Sequence, residues 1–363
     1  MNVPPFDYMA WAKAHSRKGG HQMLHSGMGV LPREILFDGP IHPPLEEVDP
    51  YGPRKTAERL AARFGLGGEE VFLSGGGSSM GLFLVCLALL ERGDLVLAEI
   101  PGYQALHRVP LLAGARVEAL PRPAGAGARV DQDALAQGLA RGARMVLLTN
   151  LHNPTGVLLE EEELSALART CARAGAVLVV DEVFSEFLPP EGRPPFAYAL
   201  HPGAVTLSSF TKAFGLGSLR AGWVLARPEL VRRLEQMNDM VQVANPTLPF
   251  FVLDRVLERE KEIRAWLEET LAPLEKAREE LARSPLLDFP SPAGGVTLFP
   301  SFRGVPETGP LCRFLAEERG VHLVPGAFFG DPSRVRMGLP TEESAREEAL
   351  AALLESLEVF LQR

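Results

Sequence analysis

Short aliphatic segments alternate with helix-like segments through the middle of this 363-residue chain. Helices are predicted between strands at 80–90, where the residues are apolar, and at 160–174, where they are amphipathic. This alternation predicts an α/β fold whose large domain is a mostly parallel sheet flanked by helices on both faces. The predicted strands are 70–73, 95–99, 144–148, 176–180, 205–207 and 222–225.

The pattern becomes mostly helical from residue 228 onward, which predicts a second, smaller α+β domain. We assign residues 46–260 to the large ligand-binding domain. The N-terminal segment 1–45 and residues 261–363 are assigned to the small domain. A long charged helix at 258–282 is expected to join the two, with a kink or an interruption at Pro273.

Composition excludes several classes of protein. The net charge of −9 and the absence of a basic run argue against nucleic-acid binding. The longest apolar stretch, 80–90, is too short to cross a bilayer, and the N-terminus has no signal-peptide pattern. The three cysteines lack metal-ligand spacing. We therefore expect a cytoplasmic protein with no metal site and no membrane or nucleic-acid partner.

Lys212 is the strongest candidate for a catalytic residue. It is one of six lysines, and it follows the strand-like run 204–207 among hydroxyls, glycines and aromatic residues. Desolvation favours the neutral amine, a nucleophile that forms a Schiff base with a carbonyl. The hydroxyls before Lys212 and the guanidinium of Arg220 after it suit a phosphate. Together these features predict pyridoxal phosphate (PLP) as the cofactor.

A glycine-serine loop at 75–79 lies between a predicted strand and a predicted helix. Backbone N–H groups at a helix N-terminus suit a phosphate, although a simple tight turn is an equally good explanation of this loop alone. Asp181 follows an aliphatic strand, as a magnesium-binding acid does in P-loop ATPases. That interpretation requires a GxxxxGK[ST] loop, which this chain lacks, whereas an acid capping the next helix stays open.

Asn153-Pro154-Thr155-Gly156 has the composition of a turn and follows the strand that ends at residue 148. The motif gains meaning because Asn153, Asp181 and Lys212 follow successive strands. Open α/β sheets bind ligands at the carboxyl ends of their strands.

These motifs, with Ser209-x-Thr211-Lys212 and Arg220-x-Gly222, resemble those of the fold-type I PLP enzymes, specifically the class I/II aminotransferases of the aspartate aminotransferase superfamily. The resemblance covers nearly the whole chain. It implies that Lys212 forms the Schiff base and later moves the substrate α-proton. It also implies that Asp181 pairs with the pyridine nitrogen and that Asn153 hydrogen-bonds the cofactor's 3-oxygen.

The resemblance assigns further cofactor contacts. Tyr103 is expected to stack on the ring, and Tyr51 to reach the phosphate of the neighbouring subunit, which implies a homodimer with shared active sites. The phosphate ligands implied within one chain are Ser78, Ser79, Ser209 and Arg220.

Arg336 corresponds to the arginine that binds the substrate α-carboxylate. Two alternatives stay open: Arg336 as a surface strand arginine, and Arg334, two residues away on the same strand face, in its place. The segment that contains Gly29, 26–29, is expected to close over the substrate, although short glycine turns are common. If it does, Met28 and Tyr8 line the side-chain pocket.

Phe184 departs from the family pattern, which has a tyrosine three residues after the aspartate. Loss of that hydroxyl removes a hydrogen-bond donor to the cofactor's anionic 3-oxygen. We therefore predict a higher pKa for the Schiff-base nitrogen than in relatives with tyrosine. The alternative is that another group, such as a water, replaces the hydroxyl.

The leading functional hypothesis is an aminotransferase that exchanges an amino group between an amino acid and a 2-oxo acid, with 2-oxoglutarate as the expected acceptor and ping-pong kinetics. A PLP lyase or decarboxylase on the same scaffold stays open, because histidinol-phosphate aminotransferases and threonine-phosphate decarboxylases have similar motifs. A PLP-binding regulator is disfavoured because neither end of the chain has a basic helix-turn-helix segment.

Overall fold

The computed structural model of the protein describes residues 3–43 and 49–363. Its helices are α1 Asp7–His15, α2 Arg33–Leu36, α3 Arg54–Ala62, α4 Ser78–Leu89, α5 Gln104–Leu112, α6 Gln132–Ala140, α7 Glu161–Arg173, α8 Ala197–Leu200, α9 Pro228–Val241, α10 Thr247–Glu258, α11 Glu260–Ala282, α12 Thr308–Glu318 and α13 Glu343–Leu361. Its strands are β1 His21–Gln22, β2 Val71–Ser74, β3 Leu95–Ile100, β4 Arg116–Pro121, β5 Ala143–Thr149, β6 Val177–Asp181, β7 Ala204–Ser208, β8 Gly222–Leu225, β9 Leu287–Asp288, β10 Thr297–Leu298, β11 Ser301–Phe302, β12 Val321–His322, β13 Val324–Pro325 and β14 Val335–Gly338.

Within the described chain, a seven-stranded sheet in the order β2-β8-β7-β6-β5-β3-β4 forms the centre of the molecule. Strands β3 to β7 pair in parallel, whereas β8 is antiparallel to both β7 and β2. Residues 209–221 form turns rather than a crossover helix, so the chain reverses direction between β7 and β8. The predicted α/β class is confirmed. Edge strand β4 was not predicted, because most of its side chains are exposed or half-buried.

Helices cover both faces of this sheet. Alternate residues of each strand point to opposite faces, so Leu147 packs in the cluster of α4, α5 and α9 while Leu148 packs in that of α6, α7 and α8. Helix α4 is apolar on all sides and contributes six buried residues. None of the helices in the described chain is both long and apolar enough to cross a bilayer.

The chain's two ends share small sheets beside the main one. Strand β1 pairs in parallel with β12, and β14 lies between β10 and β13. The N-terminal segment therefore packs with the C-terminal part. The predicted domain limits stay predictions, and the limit between residues 45 and 46 lies outside the described residues.

Pro273 does not interrupt the long helix. Helix α11 continues through it from Glu260 to Ala282, so the expected interruption is wrong. A proline removes one backbone donor, whereas Leu267, Leu274 and Leu281 along the same helix are buried and hold it against the core.

A buried carboxylate joins the large domain to α11. Glu186 accepts hydrogen bonds from Arg63 of the α3 end at 3.1 Å, from Arg193 at 2.8 Å and from Arg264 of α11 at 2.7 Å. Burial raises the pKa of Glu186, but the surrounding arginines outweigh it and hold the pKa below its ordinary value. Removing the carboxylate would leave Arg193 without this counter-ion and would leave Arg63 and Arg264 with Glu260 alone.

Candidate active site

A cavity of about 430 Å³ opens at the carboxyl ends of β5, β6 and β7. It brings together most of the residues that the sequence predicted. The predicted lining residues are Ser78, Ser79, Tyr103, Asn153, Asp181, Phe184, Lys212 and Arg220. The additional polar lining residues are Tyr8, Ser26, Thr149 and Thr211.

Lys212 lies in the turn after β7 and is held at two atoms by the N-terminal segment. Its Nζ donates to Ser26 Oγ at 3.0 Å, and its carbonyl oxygen accepts from the Met28 N–H at 2.8 Å. Desolvation lowers the pKa of Lys212, and the positive charges of Arg336 and Arg220 act in the same direction. A lowered pKa increases the share of neutral amine, the nucleophilic form.

The N-terminus of α4 lies close to the guanidinium of Arg220, and together they form a cradle at the cavity. A Cβ on Gly77 would lie 2.9 Å from Arg220 Nη2, and a Cβ on Gly222 would lie 2.6 Å from the Ser78 nitrogen. Arg220 itself has φ of 54° and donates from Nη2 to the Gly76 carbonyl at 2.9 Å. Two glycines are therefore needed for a guanidinium and free N–H groups to converge on one point, as phosphate binding requires.

Ser209 lies behind this cradle. Its buried Oγ is 2.8 Å from the hydroxyl oxygen of Thr211, and Thr211 rather than Ser209 lines the cavity. The predicted contact between Ser209 and a phosphate stays a prediction.

Asp181 and Asn153 both line the cavity. Asp181 is the last residue of β6, and Asn153 lies in the loop after β5. Burial raises the pKa of Asp181 to about 6, and its Oδ1 accepts from the Val183 N–H at 3.2 Å. A desolvated carboxylate of this kind is stabilised by a cationic partner such as a protonated ring nitrogen. Asn153 Oδ1 is buried with no hydrogen-bond partner in the described chain, so this amide has unused bonding capacity.

A buried ionic group positions the loop that carries Asn153. Arg122 donates from Nη1 to Glu99 at 2.6 Å, and Glu99 accepts both the N–H of Thr149, at 2.9 Å, and its hydroxyl. The Thr149 hydroxyl oxygen then accepts the N–H of Asn153 at 2.8 Å. This group was not predicted from the sequence, because its members come from three separate strand ends.

Arg336 lies on β14 and is 1% exposed. Its Nη2 donates to Tyr8 Oη and to the Leu24 carbonyl, both at 2.9 Å, while Nε and Nη1 are buried without partners in the described residues. The interpretation of Arg336 as a surface arginine is therefore wrong. Two guanidinium nitrogens without partners leave Arg336 able to donate hydrogen bonds to an added anion such as a carboxylate.

Arg334 has a different set of contacts. It donates to the carbonyl oxygens of Asp288 and Phe299 at 3.0 and 2.9 Å and pairs with the Asp288 carboxylate at 3.0 Å. These bonds use the guanidinium donors of Arg334 to hold neighbouring segments together. Arg336 differs because its Nε and Nη1 have no partner in the described residues.

Three further predicted residues, like Ser209 and Arg336, do not line this cavity. Tyr51 does not line the cavity, and its hydroxyl donates to Asp239 at 3.2 Å. Gly29 and Met28 line a second cleft of about 920 Å³, which adjoins the cavity through shared Tyr8, Ser26 and Lys212. Tyr8 lines both spaces, whereas Met28 lines the second cleft and not the first cavity, and the predicted contacts of both with the substrate side chain stay predictions.

The cavity fits pyridoxal phosphate. The glycine cradle suits its phosphate, Asp181 suits its ring nitrogen, and the side-chain NH₂ group of Asn153 can donate to its anionic 3-oxygen. Lys212 supplies the amine that its aldehyde requires. When bound, the cofactor supplies a ring that accepts electrons from the substrate α-carbon.

Comparison with known proteins agrees with this site. Residues 46–353 match the family described as aminotransferase class I and II. Capreomycidine synthase of Streptomyces vinaceus is 31% identical over 84% of this chain and 80% of its own length. A histidinol-phosphate aminotransferase of Symbiobacterium thermophilum is 34% identical over 83% of this chain and 81% of its own.

Solved structures give the same result. A PLP-dependent aminotransferase from Streptococcus suis superposes with a TM-score of 0.87 at 26% identity, covering 99% of each chain. The expected fold type and PLP cofactor are thereby confirmed. The chain belongs to the class I and II aminotransferases, a family of fold-type I PLP-dependent enzymes.

Proposed function

We propose that this enzyme transfers an amino group from an L-amino acid to a 2-oxo acid by a ping-pong mechanism, with 2-oxoglutarate and glutamate as one pair. The observation that carries this proposal is the buried Arg336 guanidinium, whose Nε and Nη1 have no partner in the described chain. Amino acids and 2-oxo acids share a carboxylate beside the reacting carbon. One arginine therefore holds both substrates in turn.

Each site residue is proposed to have a distinct role in the reaction. Arg336 holds the carboxylate and thereby places the substrate α-carbon near Lys212. Lys212 Nζ then takes the α-proton as a neutral amine and returns a proton as an ammonium group. Asp181 keeps a proton on the ring nitrogen, and Tyr103 closes the wall of the cavity against water.

The second cleft is proposed to receive the substrate side chain. It carries both signs of charge, because Lys13 is opposite in sign to Glu342 and Glu348. Such a lining suits a long polar side chain better than a short apolar one. Arginine therefore belongs in the first substrate panel, together with glutamate and, because a relative is named for it, histidinol phosphate.

We further propose a homodimer in which Tyr51 completes the partner's phosphate site. Asn245 ties this region together, donating to the Tyr51 carbonyl at 2.9 Å and accepting the Gly75 N–H at 3.1 Å. The segment around Asn245 exposes Met240 and Val243 by 72% and 77%. Val241, between them in sequence, is also exposed, and neighbouring exposed apolar side chains suit a protein interface. Sedimentation of wild type and of Met240→Glu tests the proposed homodimer. A monomeric wild type would refute it.

A cytoplasmic location is proposed as well. Cys86, Cys171 and Cys312 are buried and unpaired, which suits a reducing compartment.

A lyase or decarboxylase is the second candidate, because a relative is named as a synthase rather than an aminotransferase. The test is the absorbance of PLP-loaded protein during addition of each amino acid, with products identified by NMR and Lys212→Ala as control. Aminotransfer predicts bleaching by the donor, one 2-oxo acid per site, and recovery with 2-oxoglutarate. Release of CO₂ or ammonia in place of exchange would refute aminotransfer and favour the second candidate.

A further inference from the structure

His152 lies directly before Asn153 in the loop after β5 and is 0% exposed. Both of its ring nitrogens are at hydrogen-bond distance from a partner. Nε2 lies 2.7 Å from the Pro101 carbonyl oxygen, and Nδ1 lies 2.7 Å from Thr155 Oγ1. The backbone is held as well, since the His152 N–H donates to the Val157 carbonyl at 2.9 Å. The ring therefore has a fixed place and a fixed orientation.

The two partners determine which nitrogen of His152 carries the proton. Burial and the positive charge of Arg122 outweigh the bond to Pro101 and hold the pKa of His152 well below its ordinary value, so the ring is neutral. A neutral imidazole has one donor and one acceptor. Because a carbonyl oxygen only accepts, Nε2–H donates to Pro101, and the Thr155 hydroxyl donates to the bare Nδ1.

Pro101 begins the close-packed turn that carries Tyr103. Within this turn, the Gly102 N–H donates to the Phe329 carbonyl at 2.9 Å, and a Cβ on Gly102 would lie 2.2 Å from the Glu99 carbonyl oxygen. Packing this close leaves the Pro101 carbonyl little freedom to move independently of Tyr103. A bond that holds Pro101 therefore also holds the side of the cavity that Tyr103 lines.

Asn153 and Tyr103 line the same cavity but belong to different loops. The bond from His152 to Pro101 joins these loops across 51 positions of sequence. The Asn153 N–H is held separately by Thr149 Oγ1 at 2.8 Å, which anchors its loop to β5 and not to the turn at Tyr103. His152 thus fixes two walls of the cavity relative to each other.

We propose that His152 is a positioning residue that sets the separation of Asn153 and Tyr103 across the bound cofactor. The planar ring is a rigid spacer between the two loops. The correct separation lets Asn153 reach the 3-oxygen while Tyr103 lies on the ring face. His152 does not line the cavity, so it acts through these two residues. This proposal rests on the proposed contacts of Asn153 and Tyr103 with PLP.

The first test is the nitrogen NMR spectrum of the cofactor-free protein with isotope-labelled histidine. The signals of the His152 ring are assigned by their loss in His152→Gln. At neutral pH, a neutral ring with its proton on Nε2 is expected. A neutral ring with its proton on Nδ1 would leave the Pro101 carbonyl without its donor and would overturn the proposal.

The second test compares two substitutions of His152. Glutamine places its amide NH₂ near the position of Nε2, whereas the shorter asparagine does not reach Pro101. His152→Asn is expected to raise the Kd for PLP about tenfold in a fluorescence titration, the loss of about one hydrogen bond. It is also expected to raise the pKa of the Lys212 nitrogen in the PLP-loaded protein by about 1 unit, because a displaced Asn153 donates less well to the 3-oxygen. His152→Gln is expected to restore most of both values.

His322→Asn is the matched control. His322 is 1% exposed and its Nε2 lies 3.0 Å from a carbonyl oxygen, that of Gly19, but it does not line the cavity. This variant is expected to leave the Kd and the pKa unchanged. Wild-type values in His152→Asn, or no recovery in His152→Gln, would overturn the proposal.

Two provisions keep the result decisive. If His152→Asn does not fold, Thr155→Val takes its place, because it removes the hydroxyl donor to Nδ1 and is expected to shift the Kd and the pKa in the same direction. Wild-type values in Thr155→Val would then overturn the proposal. Neither measurement needs turnover, so a wild type that binds PLP without aminotransfer would refute the proposed function while the role of His152 is still decided.

Discussion

Replacing Phe184 with tyrosine is expected to lower the pKa of the Lys212 nitrogen in the PLP-loaded protein. Phe184 is buried and lines the cavity beside Asp181, with its ring edge-on to Phe187 at 5.9 Å between centroids. A hydroxyl there would donate to the cofactor's anionic 3-oxygen and stabilise the deprotonated form. A hydrogen bond to a charged group contributes about 1.5–3 kcal/mol. At 1.36 kcal/mol per unit, the expected decrease is about 1 to 2 pKa units.

The assay is a spectrophotometric titration of the cofactor band over pH. Phe187→Tyr is the matched control, because it adds a hydroxyl to an adjacent buried ring that does not line the cavity. Phe184→Leu controls for loss of the native ring. A pKa for Phe184→Tyr equal to or above that of wild type would refute the reasoning and indicate that another group already serves the 3-oxygen.

Three further substitutions test the cofactor site and the core. Asp181→Asn is expected to lower kcat/KM about 10- to 150-fold, the loss of one charge-assisted hydrogen bond, in steady-state assays. Gly222→Ala is expected to weaken PLP binding measured by fluorescence, because its Cβ meets the Ser78 nitrogen, whereas Gly39→Ala, with nothing within 4 Å, leaves it unchanged. Glu186→Gln is expected to cost about 3–5 kcal/mol in urea unfolding at neutral pH. Because the folded pKa of Glu186 is lowered, this contribution is complete above the ordinary glutamate pKa and is lost as the pH falls, so the variant's deficit narrows in acid.

The parts of the molecule that could be predicted are those encoded in local patterns. Aliphatic runs predicted the strands. Polar residues directly after those runs were expected to meet at one edge of the sheet, which predicted that Asp181 and Lys212 lie in the same site. The sequence could not show that Arg336 rather than Arg334 has guanidinium donors without partners, because the two residues have similar neighbours in the sequence. They differ in their tertiary contacts, which a sequence pattern does not reveal.

The contact of Ser26 with Lys212 was missed for the same reason. Ser26 belongs to a short glycine-containing segment, a pattern shared by many turns, and 186 positions separate the two residues. At Pro273 the local sequence predicted an interruption, but α11 is continuous there. Burial of one face of the helix outweighed the local preference of proline.

The bond between Tyr8 and Arg336 joins residues that are 328 positions apart, and this has a consequence during synthesis. A ribosome produces Tyr8 and Ser26 first, and all strands of the central sheet, through Leu225, before Arg336 emerges. A nascent chain thus has the glycine cradle well before it has Arg336. The proposed carboxylate contact of Arg336 therefore becomes available only after every strand of the central sheet has been synthesised.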